Sequence, residues 1–127
     1  MYTIKMAGCV ILKDDCILLL HRIKKDWYEL PGGKIDAGEA PEETAKRELK
    51  EELSIDVEIL KNLGSKKFKE NGRSFSYAWF LAEIKNGQSP KIGEPEEFSD
   101  FKYIPLTKLS EYNLSTNMQD SSLLSVL

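Results

Sequence analysis

The chain reads as one α/β domain built on a mixed β-sheet, and three features lead there. Short β-branched-rich apolar runs occur toward both ends, a single amphipathic helical stretch separates them, and no repeat or linker divides the 127 residues. A hydrophobic fraction of 41% against 31% charged residues matches a globular chain long enough to bury one core.

Ile4 to Leu12 and Cys16 to Leu20 are apolar runs separated by Lys13, Asp14 and Asp15, which predicts a β-hairpin. Their near-continuous apolarity predicts burial on both faces. Trp27 to Leu30 suits a short strand, and Pro31, Gly32 and Gly33 are expected to stop regular structure. Pro41 fits the first turn of a helix, with the acidic residues after it at the positive helix end, and the helix should run to about Leu53. Ile55 to Leu60 and Ser74 to Ile84 read as strands joined by a polar connection around Lys69 to Gly72. Phe75, Tyr77, Trp79 and Leu81 share one face by alternation. Asn86 to Glu97 reads as a loop, Phe101 to Ile104 as a last strand, and Leu106 to Tyr112 and the C-terminal stretch as short helices.

Lys and Arg number 18 against 21 Asp and Glu, a net charge of -3 that gives no polyanion-binding surface, so a nucleic-acid polymer is not an expected partner. Cys9 and Cys16 lie in apolar runs without a C-x-x-C pair or a histidine cluster, which argues against zinc. Two buried thiols in a reducing compartment are expected, a disulfide across the hairpin being the other reading. Met6 to Leu12 is too short to span a bilayer and lacks a cleavage pattern, so a cytoplasmic protein is expected, monomeric or homodimeric.

On a helical wheel, Ala45, Leu49 and Leu53 form one apolar stripe, with Glu43, Lys46 and Lys50 toward solvent. Glu48, Glu51 and Glu52 cluster within an arc of roughly 100° on the stripe's other flank. Like charges at i and i+4, such as Glu48 and Glu52, repel by a few tenths of a kcal/mol on an open helix, and more near a core. Bound cations reverse that sign, and Mg²⁺ prefers such hard oxygen ligands. A solvated acidic face balanced by Lys46, Arg47 and Lys50 is the competing reading. Pro31, Gly32 and Gly33 make a loop able to approach such a helix closely and aim a carbonyl at the same metal, and Glu39 is placed to reach Arg47.

Gly33, Glu39, Arg47, Glu48, Leu49, Glu51, Glu52 and Ile55 match the pattern G-x5-E-x7-R-E-U-x-E-E-x-G-U, where U is bulky and aliphatic. With the lead-in Trp27, Leu30, Pro31 and Gly32, and the ending Tyr103-Ile104-Pro105-Leu106, the chain resembles the Nudix hydrolases, particularly MutT-like members. Ser54 stands where that pattern has glycine, at the expected helix end. Serine costs roughly 1 kcal/mol in the left-handed cap that glycine accepts freely.

The resemblance implies a Nudix fold across residues 1–127, a mixed sheet sandwiched between helices, and hydrolysis of a diphosphate linkage in a nucleoside diphosphate derivative using Mg²⁺ or Mn²⁺. It places Gly33, Glu48, Glu51 and Glu52 as the metal shell, Arg47 as the residue orienting them, and Glu48 or Glu51 as the base. Some members take a base from a later loop, for which Glu97 is the candidate ahead of Glu94 and Glu96. Arg22 and Lys34 are candidate phosphate ligands and Tyr77 or Trp79 candidate base-stacking rings, each weighed against an ordinary surface or core role. Trp27 is weighed in the same way, and His21 is expected to have no catalytic role. The leading substrate is a nucleoside triphosphate, an oxidised or non-standard base being one form of it. Hydrolysis of ADP-ribose or a nucleotide-sugar, and a silent nucleotide-sensing domain, are the alternatives.

Overall fold

The computed structural model describes residues 2–119. Its first sheet is mixed and four-stranded, in the order β5 (Gly32–Lys34), β1 (Thr3–Val10), β7 (Arg73–Ile84), β6 (Val57–Glu70). β1 and β7 run parallel from Thr3 opposite Ser74 to Val10 opposite Leu81, and the other two pairings are antiparallel. In the second sheet β3 (Cys16–Arg22) is central. β2 (Leu12–Lys13) and β4 (Trp27–Glu29) share one edge of it, and β8 (Phe98–Pro105) takes the other.

α1 (Pro41–Leu53) packs on one face of the first sheet. Its stripe of Ala45, Leu49 and Leu53 is wholly buried with Ala7, Cys9, Phe80 and Ala82 in one core cluster. On the other face Val10, Tyr77 and Trp79 meet Ile17, Leu19 and Ile104 of the second sheet. Alternation along β3 sends Leu18 and Leu20 to the first cluster and Ile17 and Leu19 to the second, which is why that strand is apolar throughout.

The α/β fold with a mixed sheet is as the sequence predicts, but several local expectations change. The first hairpin is short: only Leu12 and Lys13 pair with Ile17 and Cys16, around Asp14 and Asp15 at positive φ. β1 instead crosses to the first sheet, where β7 pairs with it along its whole length and β5 over Met6 to Gly8. Both thiols are free, Cys9 buried and Cys16 partly so. β6 runs on to Glu70 and turns at Asn71 and Gly72, both at positive φ as a tight hairpin turn needs. Leu106–Glu111 and Thr116–Met118 are 3₁₀ turns, and the remainder of the expected C-terminal helix lies outside the described residues.

Gly32 and Gly33 do not end regular structure. They form β5, pairing antiparallel with Gly8 and Ala7. Glycine is required for close packing: a Cβ on either Gly8 or Gly32 would strike the Tyr77 hydroxyl, and on Gly8 also the Pro31 carbonyl. Two facing glycines thus let a buried tyrosine lie under the strand pair. Gly8→Ala should destabilise the fold by about 2 kcal/mol, within the range for overpacked cores. An unchanged urea midpoint would show that both the Tyr77 ring and the Pro31 carbonyl shift freely.

Candidate active site

Pro41 opens α1, and the Glu43 carboxylate accepts a hydrogen bond from the Ala40 amide at 2.9 Å, closing the first turn. At the other end Ser54 adopts the left-handed conformation at φ 59° and donates its amide to Lys50 O at 3.1 Å. The helix therefore ends where the glycine of the motif would end it. The Leu53 and Glu52 carbonyls accept from the amides of Lys91 and Gly93 at 2.8 and 2.9 Å, so the loop before β8 caps the helix.

This frame brings Glu48, Glu51 and Glu52 together. Glu52 is only 4% exposed and accepts the Gly32 amide at 2.9 Å. Burial and then the Glu48 charge push its carboxyl well above the ordinary range. Glu48 lies against Gly33, where any Cβ would collide with its carboxylate. Burial, then Glu51, raise its pKa to about 7 despite Arg47. Arg47 holds Glu51 at 2.7 Å, Glu39 at 2.8 Å and the Lys34 carbonyl at 3.2 Å, so helix, loop and β5 are tied by one guanidinium. Thr44 donates a further bond to Glu39, whose pKa falls to about 2, chiefly through Arg47.

Among the described residues no three carboxylates yet converge on one point as a metal would require. The donor set nonetheless fits a hard divalent cation: two sheltered carboxylates held near each other against their charge, a third beside them, and a glycine cradle with no side chain.

Beside this cluster opens a cavity of about 320 Å³. Arg22, Glu29 and Gly32 line it near the glutamates, Met6, Tyr77, Phe75 and Phe68 line its sheet wall, and Ser115 and Asn117 supply polar groups. Phe68 and Phe75 stack with centroids 5.1 Å apart. The segment through Leu114 bridges to Tyr28 beside β4, which brings Ser115 and Asn117 to the cavity.

Residues 3–124 match the family model described as NUDIX domain. The chain belongs to the Nudix family. It is 33% identical over 101 residues to an RNA pyrophosphohydrolase of Nitratiruptor, a match covering 68% of this chain and 64% of that one. It is 37% identical over 54 residues to an uncharacterized Nudix hydrolase of Bacillus subtilis, covering 42% of this chain. The matched stretch spans 34% of that relative, so both relatives extend well beyond what this chain matches. The MutT Nudix hydrolase structure from Burkholderia pseudomallei superposes with TM-score 0.88 at 26% identity over the full length of both chains.

Within this Nudix frame several expected site residues sit differently from the sequence reading. Glu97 is held by Arg22 at 3.2 Å with its side chain 52% exposed. Glu94 is the loop carboxylate that the cluster feels: its pKa is raised by burial and then by Glu51, and its charge in turn raises Glu48 and Glu52. The cause is Gly93, whose amide is fixed to the helix end one residue earlier. Trp79 is 3% exposed in the core and does not line the cavity, because the second sheet covers β7 at that level. Tyr77 lines the wall but is 4% exposed with its ring against Trp79, so the freer rings are Phe68, Phe75 and Trp27. Trp27 also lines the cavity and donates its indole N–H to Glu29 at 2.8 Å. Lys34 leaves β5 on the side opposite Glu48 and lines a separate cavity. Arg22 does line the main cavity, paired bidentately to Glu29 at 2.7 and 2.9 Å.

Sequence reasoning overlooked Glu29, Phe68, Ser115, Asn117 and Gly93. Only Glu29 carried a local hint, as an acid beside Trp27 in an otherwise apolar lead-in.

Two outcomes follow from this geometry. Because Glu48 has a folded pKa near 7, above the ordinary 4.5, its contribution to stability is present below about pH 4.5 and lost as pH rises through 7. In EDTA, Glu48→Gln should therefore raise Tm at pH 8 by about 3 °C, roughly 1 kcal/mol, and hardly change it at pH 5. Equal shifts at both pH values would contradict the buried charge. Gly93→Ala would place a Cβ against the Glu51 carbonyl and push the loop off the helix end. Its Mn²⁺ affinity should fall about as far as that of Glu94→Gln, and the double variant should lose little more. Additive losses would mean that Gly93 does not position Glu94.

Proposed function

We propose that this chain is a divalent-metal-dependent hydrolase that cleaves a diphosphate linkage in a nucleoside triphosphate, releasing a nucleoside monophosphate. The observation that carries the reading is the juxtaposition of the sheltered Glu48 and Glu52 pair with a nucleoside-sized aromatic cavity, joined through Gly32. A cavity of about 320 Å³ is at the small end for ligand pockets, which favours one nucleoside over two. A nucleotide pool of this kind and two free thiols suit a cytoplasmic setting.

Mg²⁺ or Mn²⁺ would be held by Glu48, Glu51 and Glu52, with the Gly33 carbonyl and Glu94 as further oxygen ligands. When bound, the metal supplies neutralisation of the diphosphate, a more acidic water and charge stabilisation on the leaving oxygen. Arg47 keeps Glu51 and Glu39 in register, so the carboxylates are placed before substrate arrives. Glu48, with its pKa near 7, or Glu94 can accept a proton from an attacking water at neutral pH. Arg22, with Lys24 and Lys25, brings positive charge to the cavity. Its contact with Glu97 is longer and more exposed than its contact with Glu29, so a phosphate oxygen can replace Glu97. Phe68 and Phe75 offer ring surface to a base, worth about 1–3 kcal/mol for stacking, and Asn117 with Ser115 offers hydrogen bonds at its edge.

The test is a Mg²⁺-dependent screen over nucleotides with products identified, run beside two variants. Glu52→Gln should cut turnover at least about a hundredfold while the protein stays folded. Glu43→Gln, on the exposed face with a cap that glutamine can still accept, should change it less than about twofold. Near-normal rates for folded Glu52→Gln protein would sink the metal role. An unreactive wild type that still binds nucleotide would instead indicate a sensing domain.

A further inference from the structure

Tyr77 stands on β7 opposite Met6 of β1, in the core cluster between the two sheets. Its hydroxyl oxygen lies beside Gly8 and Gly32, a pair two residues farther along β1, and is the first atom that a Cβ on Gly32 would meet. Among the described residues this oxygen has no hydrogen-bond partner. No side-chain oxygen or nitrogen among them is both fully enclosed and unpartnered, so the Tyr77 hydroxyl has an open side. Tyr77 and Gly32 both line the aromatic cavity, and the oxygen opens onto it. A phenylalanine would fill the same core volume without the oxygen. A side chain only 4% exposed, carrying a donor that nothing in the protein takes up, is poised for a ligand.

The position of the oxygen along the sheet narrows what it can meet. Gly32 and Gly33 are successive residues of the edge strand β5 and so present opposite faces. Gly32 faces the Tyr77 hydroxyl, whereas Gly33 faces the Glu48 carboxylate. The Gly32 amide holds Glu52 at 2.9 Å. A ligand reaching from the cavity to the glutamates passes around this edge, and the hydroxyl marks the cavity side of the crossing. Phe75, on the same face, lies one two-residue step of about 6.6 Å farther back along β7, with Phe68 paired to it.

We propose that the Tyr77 hydroxyl binds the substrate, donating a hydrogen bond to an α-phosphate oxygen, an assignment that rests on the hydrolase reading above. With a base on the aromatic wall and the diphosphate linkage at the glutamates, the α-phosphate is the group that spans the crossing. Its oxygens are anionic acceptors, and a phenol is a protonated donor at neutral pH. No internal bond has to break before the hydroxyl reaches them. Tyr77 then acts through its oxygen, and not as the base-stacking ring that alternation along the strand suggests.

The test measures affinity by calorimetry, in Mg²⁺, for adenosine and guanosine and for their 5′-monophosphates, which have no diphosphate linkage to cleave. In Tyr77→Phe the gain in affinity conferred by the 5′ phosphate should fall about tenfold. Nucleoside affinity, Mn²⁺ affinity without nucleotide and the urea midpoint should hardly change. Phe75→Leu should instead weaken nucleoside and monophosphate by the same factor. Equal losses of nucleoside and monophosphate in Tyr77→Phe would move the hydroxyl to the sugar or base and overturn the assignment. An unchanged gain, or no gain from the 5′ phosphate in the wild-type protein, overturns it as well. A second measurement needs no variant: with ¹³C at the tyrosine Cζ, the monophosphate should shift the Tyr77 resonance well beyond the shift caused by the nucleoside, and equal shifts count against the bond. If no triphosphate is hydrolysed while Tyr77→Phe still loses the phosphate-dependent gain, the hydrolase reading fails and the donor stands.

Discussion

Two carboxylates, Glu48 and Glu52, are sheltered within one helical turn of each other, and the rest of the site is arranged around keeping them there. An open helix would tolerate that repulsion at a cost of tenths of a kcal/mol, but shelter beside β5 makes ionisation of both unfavourable. The helix is held in this unfavourable phase by Ala45, Leu49 and Leu53, whose burial against the first sheet fixes its rotation. Core packing therefore sets where the charges point. A metal is the group that would turn the strain into affinity.

Arg47 offsets the charge of this pair only in part, and only at Glu48. It lies 3.5 Å from Glu48 but makes its short contacts with Glu39 and Glu51, and its role is mechanical as much as electrostatic. By also taking the Lys34 carbonyl it fixes the distance between α1 and β5. The same region depends on glycine for a different reason at each place. Gly8 and Gly32 make room for the Tyr77 hydroxyl, Gly33 makes room for Glu48, and Gly93 lets a loop approach the helix end. The glycine absent from the helix end is replaced by Ser54 in a left-handed conformation, steadied by loop amides that satisfy the last carbonyls.

The cavity follows from how two sheets separate. Near Trp79 the second sheet lies over β7 and the side chains become core, whereas toward Phe75 and Phe68 that cover ends and the rings face open space. Alternation alone gives all four residues Phe75, Tyr77, Trp79 and Leu81 the same face, and says nothing of where along the strand the cover stops.

Local physics made much of this legible in the sequence. The phase of α1, the grouping of Glu48, Glu51 and Glu52, the reach of Glu39 to Arg47 and the two-sided burial of β3 all follow from residue spacing within single elements. The Nudix motif lies within one loop and one helix, so its family could be read without tertiary information. Tertiary structure alone decided which partner each strand took, and so turned Gly32 and Gly33 from an expected breaker into a paired strand. It also paired Glu97 with Arg22, buried Trp79, sent Lys34 to another cavity, and brought Phe68, Ser115 and Asn117 from distant parts of the chain to one cavity. These outcomes depend on contacts between residues far apart in sequence, and the spacing of residues within a single element holds no record of such contacts.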